Sequence, residues 1–177
     1  MSVPGWKQTL WRTIGARLFR CSPHVAHRYR RGVLRFFGAQ VHNRAKIRRS
    51  ARIDCPWNLT MHELAIVGDH AIINCSSPVT LGARSVVSQL SIVSTRMRSP
   101  QQPGHPRVDE PIVIENDAWV AADSLVLSGA VVSEGTVVGA RGLVDPAQRT
   151  DPWTISVGQP TRAIKQREYA ARSGSKP

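Results

Sequence analysis

Residues 114–144 read IENDAW VAADSL VLSGAV VSEGTV VGARGL V, and an aliphatic residue opens every group. Ile114, Val120, Val126, Val132, Val138 and Val144 thus return every six positions. Four residues after each comes a second series, Ala118, Ser124, Ala130, Thr136, Gly142 and Gln148, small in all but its last member. An α-helix repeats its faces about every 3.6 residues and a strand every two, so neither gives a period of six with this asymmetry. A hexad period marks a β-solenoid. Each hexad supplies a short strand and a turn, with the aliphatic residue inward and the small residue at the bend. Three hexads close a triangular coil of about 18 residues, and coils stack through main-chain hydrogen bonds at about 4.8 Å.

The same pattern runs upstream. Val41, Ile47, Ile53 and Leu59 are six apart; Met61, Val67, Ile73 and Val79 follow after a two-residue shift, and Leu81, Val87 and Val93 after another. Ala45, Ala51, Ala65, Ala71, Ser77, Ser85 and Ser91 fill the small positions. The shifts fit irregular corners between coils, and Gly68-Asp69, Gly82-Ala83 and Glu134-Gly135 fit turns. An ordinary β-sandwich would have to produce this spacing by chance. The period fails between Ser94 and Arg107, a polar stretch with three prolines. A solenoid accommodates such an insertion as a loop projecting at a corner, here 94–110, and loops of this kind carry function more often than packing.

Charge divides the 177-residue chain. Its Lys and Arg number 24 against 12 Asp and Glu, but 13 of the basic residues lie in residues 1–53, where there is no acid. The remaining 11 basic and 12 acidic residues sum to −1, so the excess is N-terminal. Such a block seeks an anionic partner: phospholipid, nucleic acid or a phosphorylated substrate. Within it Trp6, Leu10, Ile14 and Leu18, then Val25, Tyr29, Val33 and Phe36 after the Ser22-Pro23 break, repeat at helical spacing. Two amphipathic helices follow, whose apolar faces either cap the main domain or lie in a lipid headgroup layer. No nucleic-acid motif accompanies the charge, which ranks nucleic acid last. The resulting division is a basic helical segment at 1–40, a β-helix at 41–160 and a short tail at 161–177.

No apolar run reaches the ~18 residues of a membrane-spanning helix. No apolar core with a cleavage site follows the early basic residues, so a signal peptide is not expected, although the acid-free start resembles a transit peptide. Cys21, Cys55 and Cys75 are odd in number and lack metal-ligand spacing, which points to a reducing compartment. The expected location is the cytoplasm, with peripheral contact at the inner face of the membrane.

Several stretches resemble the hexapeptide-repeat acyltransferases, and among them the acetyltransferases assigned to colanic acid biosynthesis. They are Phe36-Phe37-Gly38-Ala39, Cys55-Pro56-Trp57-Asn58-Leu59-Thr60, Ser88-Gln89, Pro111-Ile112-Val113-Ile114, Ala118-Trp119-Val120, Val138-Gly139-Ala140-Arg141 and Gly158-Gln159-Pro160. The resemblance covers roughly residues 30–165. It implies a left-handed parallel β-helix and a homotrimer, with acetyl-CoA in a groove between subunits and no metal. A loop histidine would act as general base on a saccharide hydroxyl in exopolysaccharide or surface-glycan synthesis, an acceptor that membrane contact by 1–40 would let be lipid-linked. An imidazole titrating near 6.5 suits that task, and main-chain N–H groups would steady the oxyanion. The resemblance also implies coenzyme contacts at Trp119, Ala122, Ala140, two coils further on, and Arg162, whose cation suits phosphates.

The chain departs from that family where the base belongs. Counting back from Pro111, Arg98 stands at the family's histidine and Ser99 at its aspartate. Arginine keeps its proton at physiological pH and cannot be the base. Gly104-His105-Pro106 resembles the segment that carries the base in sugar O-acetyltransferases, which makes His105 the catalytic candidate. Asn74 and Arg98 are candidates for holding the acceptor, while His62 and His70 are expected in the solenoid wall. His24, His27 and His42 belong to the basic region. The alternative function is a catalytically impaired trimer, a coenzyme- or glycan-binding scaffold. The spacing of the six histidines does not suggest a three-histidine metal enzyme.

Overall fold

The computed structural model describes residues 5–23, 25–99 and 102–168; His24, Pro100 and Gln101 of the projecting loop, and the tail from 169 onward lie outside the described residues. From Gln40 the chain winds as a three-sided β-helix. Face one stacks Gln40–Val41, Leu59–Met61, Val79–Leu81, Ile112–Ile114 and Val131–Val132. Face two stacks Lys46–Ile47, Ile66–Val67, Val86–Val87, Trp119–Val120, Val137–Val138 and Thr154–Gly158. Face three stacks Arg52–Ile53, Ile72–Asn74, Ile92–Ser94, Leu125–Val126 and Leu143–Val144. All these strands pair in parallel; only Thr161–Gln166 folds back, antiparallel to Thr154–Gly158.

Register follows the hexads. Along face one Val41 aligns with Met61, Leu81, Ile114 and Val132. Every aliphatic residue of the repeat is buried, as are the small residues at their bends except the half-buried Ser77. Removing each of the aliphatic side chains from water is worth roughly 1.5–3 kcal/mol. The two-residue shifts have a simple form. Leu59 and Met61 share one three-residue strand and both point inward, as do Val79 and Leu81. Gly68 marks a close approach between coils, where a Cβ would stand 2.7 Å from the Gln89 nitrogen. His62 and His70 are exposed at corners.

The N-terminal end is closed by helices. Gly5–Leu10 runs through a π-helical turn, Trp11–Gly15, into Ala16–Arg20, and His27–Phe36 follows. Gly15 is required there, because a Cβ would come within 2.7 Å of the Phe37 ring. Main-chain N–H groups of the first coil donate forward to the second: His42 N to Met61 O (2.8 Å), Lys46 N to Ala65 O (2.9 Å) and Arg48 N to Val67 O (3.0 Å). The first coil's own carbonyls therefore face the open end. Side chains of the cap donate to them. Trp11 Nε1 reaches Ile53 O at 2.9 Å, Arg30 Nε reaches Ile47 O at 2.8 Å, Arg31 Nη1 reaches Ala45 O at 3.0 Å and Arg35 Nε reaches Val41 O at 2.8 Å.

The inward face of the cap is not the stripe that the spacing of four picks out. Trp11, Phe19, Leu34 and Phe37 seal the solenoid, while Trp6, Ile14, Leu18, Val25, Tyr29 and Phe36 stay exposed. Capping and outward display thus belong to two different faces of the same helices.

Candidate active site

The corner between faces two and three is a column of stacked turns. Ala122 and Ala140 lie on it, joined where Arg141 N donates to Ala122 O at 3.0 Å. Val120 pairs with Val138, so Ala140 is one coil beyond Ala122 and not two. With no side chain beyond Cβ, these residues leave the main chain at the edge open to close approach. Trp119 stands on the face-two side, 45 % exposed, its Nε1 donating to Ser88 Oγ at 2.8 Å. On the face-three side a cavity of 340 Å³ is lined by Leu90, Ile92, Asp123, Leu125, Arg141 and Gln159 among others. Arg162 is exposed on the returning strand opposite Val157, whose side chain packs where a Gly139 Cβ would be. Trp119, Ala122, Ala140 and Arg162 therefore share one edge.

The other candidates gather at a different corner, between faces three and one. The loop leaves after Ser94 and returns at Ile112. Its arms pair as a short hairpin: Arg98 bridges Arg107, Ser99 N donates to Pro106 O (2.9 Å) and Val108 N to Met97 O (3.0 Å). Arg98 Nη1 donates to the His105 carbonyl at 3.0 Å. His105 is exposed, and its Nδ1 lies 3.2 Å from Ser99 O. A carbonyl only accepts, so the proton of that bond sits on Nδ1 and leaves the Nε2 lone pair free. Asn74 pairs with Ser94 at the loop root, and its carbonyl receives Thr95 N at 2.9 Å and Thr95 Oγ1 at 3.1 Å.

The root is held by charge. Arg96 Nη2 meets Asp54 Oδ2 at 2.6 Å and Arg107 Nη2 meets Asp109 Oδ2 at 2.6 Å. Burial by itself would raise the Asp109 carboxyl, but hydrogen bonds from Ser76, the Met97 main chain and Arg107 outweigh it and hold it below its ordinary 3.8. Cys55 is pushed up to about 11 by burial and then by the Asp54 charge, and the same causes raise Cys75 well above the ordinary thiol value. Neither thiol is a nucleophile near neutral pH. Among the described residues no three His, Cys, Asp or Glu side chains converge to hold a metal ion, and no helix is long and apolar enough to cross a membrane.

Sequence reasoning named Ser99 only as the residue in place of the family's aspartate and missed its carbonyl's contact with the His105 ring; it gave no role to Arg141, Asp123 and Gln159, which shape the corner. Arg141 and Asp123 form an ion pair at 3.2 Å, and Gln159 Nε2 donates to Arg141 O at 2.8 Å. Their common signal is a position one coil apart on the same corner, legible only once the register is known.

A hexad solenoid interrupted by one projecting hairpin defines a class, the hexapeptide-repeat transferases. No protein-family model matches the chain. It is 35% identical over 161 residues to "Putative colanic acid biosynthesis acetyltransferase WcaF" of Escherichia coli (strain K12), spanning 91% of this chain and 87% of that one. A maltose O-acetyltransferase from Clostridium difficile 630 superposes with a TM-score of 0.81 at 20% identity, covering 93% of this chain and 88% of the other. A hexapeptide-repeat-containing acetyltransferase from Vibrio cholerae, solved in complex with acetyl-CoA, gives 0.78 at 17% identity over 93% and 87%. The chain belongs to the hexapeptide-repeat acetyltransferase family, with the left-handed β-helix fold, and its relative at 35% identity carries the colanic acid name.

Proposed function

We propose that this protein is an O-acetyltransferase that moves an acetyl group from acetyl-CoA to a saccharide hydroxyl in exopolysaccharide or surface-glycan synthesis. The observation that carries the reading is the His105 ring, whose Nδ1 lies 3.2 Å from the Ser99 carbonyl oxygen, so that Nε2 is the nitrogen left to accept a proton. Acetyl-CoA supplies the acyl group as a thioester. Ala122 and Ala140 let its extended arm lie against the main chain, Trp119 flanks it and Arg162 answers its phosphates. His105 Nε2 takes the hydroxyl proton as the oxygen attacks the thioester carbonyl. The C–O bond forms, the C–S bond breaks, and the proton passes to the departing thiolate. Arg98 and Asn74 hold the acceptor beside the loop.

His105 and the small-residue edge lie on different corners of one chain, so the proposed site is completed between subunits. Outward apolar ladders support a homotrimer: Ile66, Val86, Val137 and Ile155 on face two, and Ile72, Ile92, Leu125 and Leu143 on face three, all half-buried in the single chain. The proposed location is the cytoplasm, at the inner face of the membrane, where residues 1–40 bring the enzyme to a lipid-linked acceptor.

Arg98 at the position of the family's base favours a second reading, a trimer that binds coenzyme or glycan without turnover. Free thiol release from acetyl-CoA with a panel of saccharides separates the two. Catalysis predicts release that falls about 10²–10⁴-fold in His105→Ala and is retained at saturating acceptor in Arg98→Ala, with a raised KM for the acceptor. Coenzyme binding with no release in the unaltered protein would establish the scaffold instead.

A further inference from the structure

The N-terminal arginines fall into two sets. Arg30, Arg31 and Arg35 donate to main-chain carbonyls of the first coil. Arg12, Arg17, Arg20 and Arg28 are exposed on the same helices, and among the described residues none of them forms an ion pair. The first acid in the chain is Asp54. Between the two helices, on the side away from the solenoid, lies an apolar groove of 520 Å³ whose walls include Leu10, Ile14, Leu18, Tyr29, Val33 and Phe36. Nearby apolar groups are strongly exposed, Phe36 at 79 % and Trp6 at 67 %. The opposite side of these helices is bonded to the solenoid, so the outer face is presented rigidly.

We infer that the cap is a docking face for an anionic bilayer, with the solenoid standing N-terminal end down. The occupant follows from charge. A second copy would bring two acid-free cationic faces together, and the repulsion is uncompensated. A bilayer surface carrying acidic headgroups answers the arginines, while Trp6, Tyr29, Phe36 and the groove aliphatics enter the headgroup–acyl boundary, where amphipathic aromatics are favoured. Arg49 at a corner of the first coil adds exposed positive charge at the same end. The inference rests on reading residues 1–40 as membrane-contacting and is independent of acetyl transfer.

Flotation of the full chain with phosphatidylglycerol–phosphatidylcholine vesicles, against pure phosphatidylcholine, tests it. The doubly substituted Leu18→Glu, Phe36→Glu protein changes only exposed groups, and its unfolding temperature reports whether the cap is intact. The expected result is flotation of the unaltered protein with the anionic vesicles and a loss of about tenfold or more in the variant at unchanged unfolding temperature. Equal flotation of both proteins overturns the assignment of this face and leaves a purely electrostatic contact. Absence of flotation for the unaltered protein overturns the membrane reading itself, while thiol release still decides the enzymatic one. Groove-dependent self-association in light scattering, without lipid binding, makes a second copy the occupant and also overturns the inference.

Discussion

Arg30 is fully buried at the joint between cap and solenoid. Its guanidinium is held by Ile47 O, by Ser22 Oγ and Pro23 O at 2.8 and 2.7 Å, and by His27 Nδ1 at 3.0 Å. Burial, then repulsion from Arg48 and Arg49, lowers its pKa, yet a guanidinium starts so far above neutrality that it stays charged. A stack of parallel coils ends in a row of carbonyls, a partial negative charge like the C-terminus of a helix, and a cation is the natural stopper. Arg30→Met keeps most of the volume and removes every donor. Each buried acceptor left without a partner costs about 1–3 kcal/mol. The urea midpoint of Arg30→Met is therefore expected to drop clearly, by more than that of Arg12→Met, which changes an exposed side chain. Equal midpoints would mean that the guanidinium is not what closes the stack.

At the scale of elements the projecting hairpin depends on one carboxylate. Asp109 receives Met97 N at 3.4 Å as well as the Arg107 pair, and its folded pKa is depressed. A depressed carboxyl contributes stability that is fully present above its unfolded pKa, ordinarily 3.8, and is lost as pH falls through the folded value. Asp109→Asn removes that contribution at neutral pH. Amide exchange at Ser99 and Val108 is expected to speed up about tenfold, while Val87 and Val126 in the solenoid stay unchanged. The unaltered hairpin should loosen in the same way only under acid. Such ties across twelve residues are invisible in sequence, and so was the facing of the cap. Trp6, Leu10, Ile14 and Leu18 do form a stripe, but Trp11, Gly15 and Phe19 form another at the same spacing. Periodicity shows that a helix has an apolar face. It does not say which of two faces meets the protein, because that is decided by where Trp11 Nε1 finds the Ile53 carbonyl.

For the whole molecule the fold was legible because a solenoid is nearly one-dimensional: one aliphatic residue per hexad fixes the inward positions of the repeat from Val41 to Val93 and from Ile114 to Val144. The proposed site was legible only as a set of residues. Its division between two corners depends on register, on two-residue additions in the early coils and on the inserted loop, none of which the hexads count. That division has a consequence that can be measured. A site built by one chain is repaired by nothing in a mixture of two inactive variants. A site shared around a closed ring is repaired in part. His105→Ala lacks the proposed base but keeps the edge at Ala122 and Ala140; Ala140→Trp blocks that edge but keeps the base. In the proposed trimer, when it holds both variants, one junction of three joins an intact loop to an intact edge. Random assembly from equal amounts places three quarters of the trimers in mixed form, so thiol release should recover to about a quarter of the unaltered rate. Each variant alone should stay inactive, and so should the mixture if Leu125→Arg is added to both to break the face-three ladder. Recovery near zero in co-assembled, stable trimers would place base and edge in the same subunit and remove the shared site.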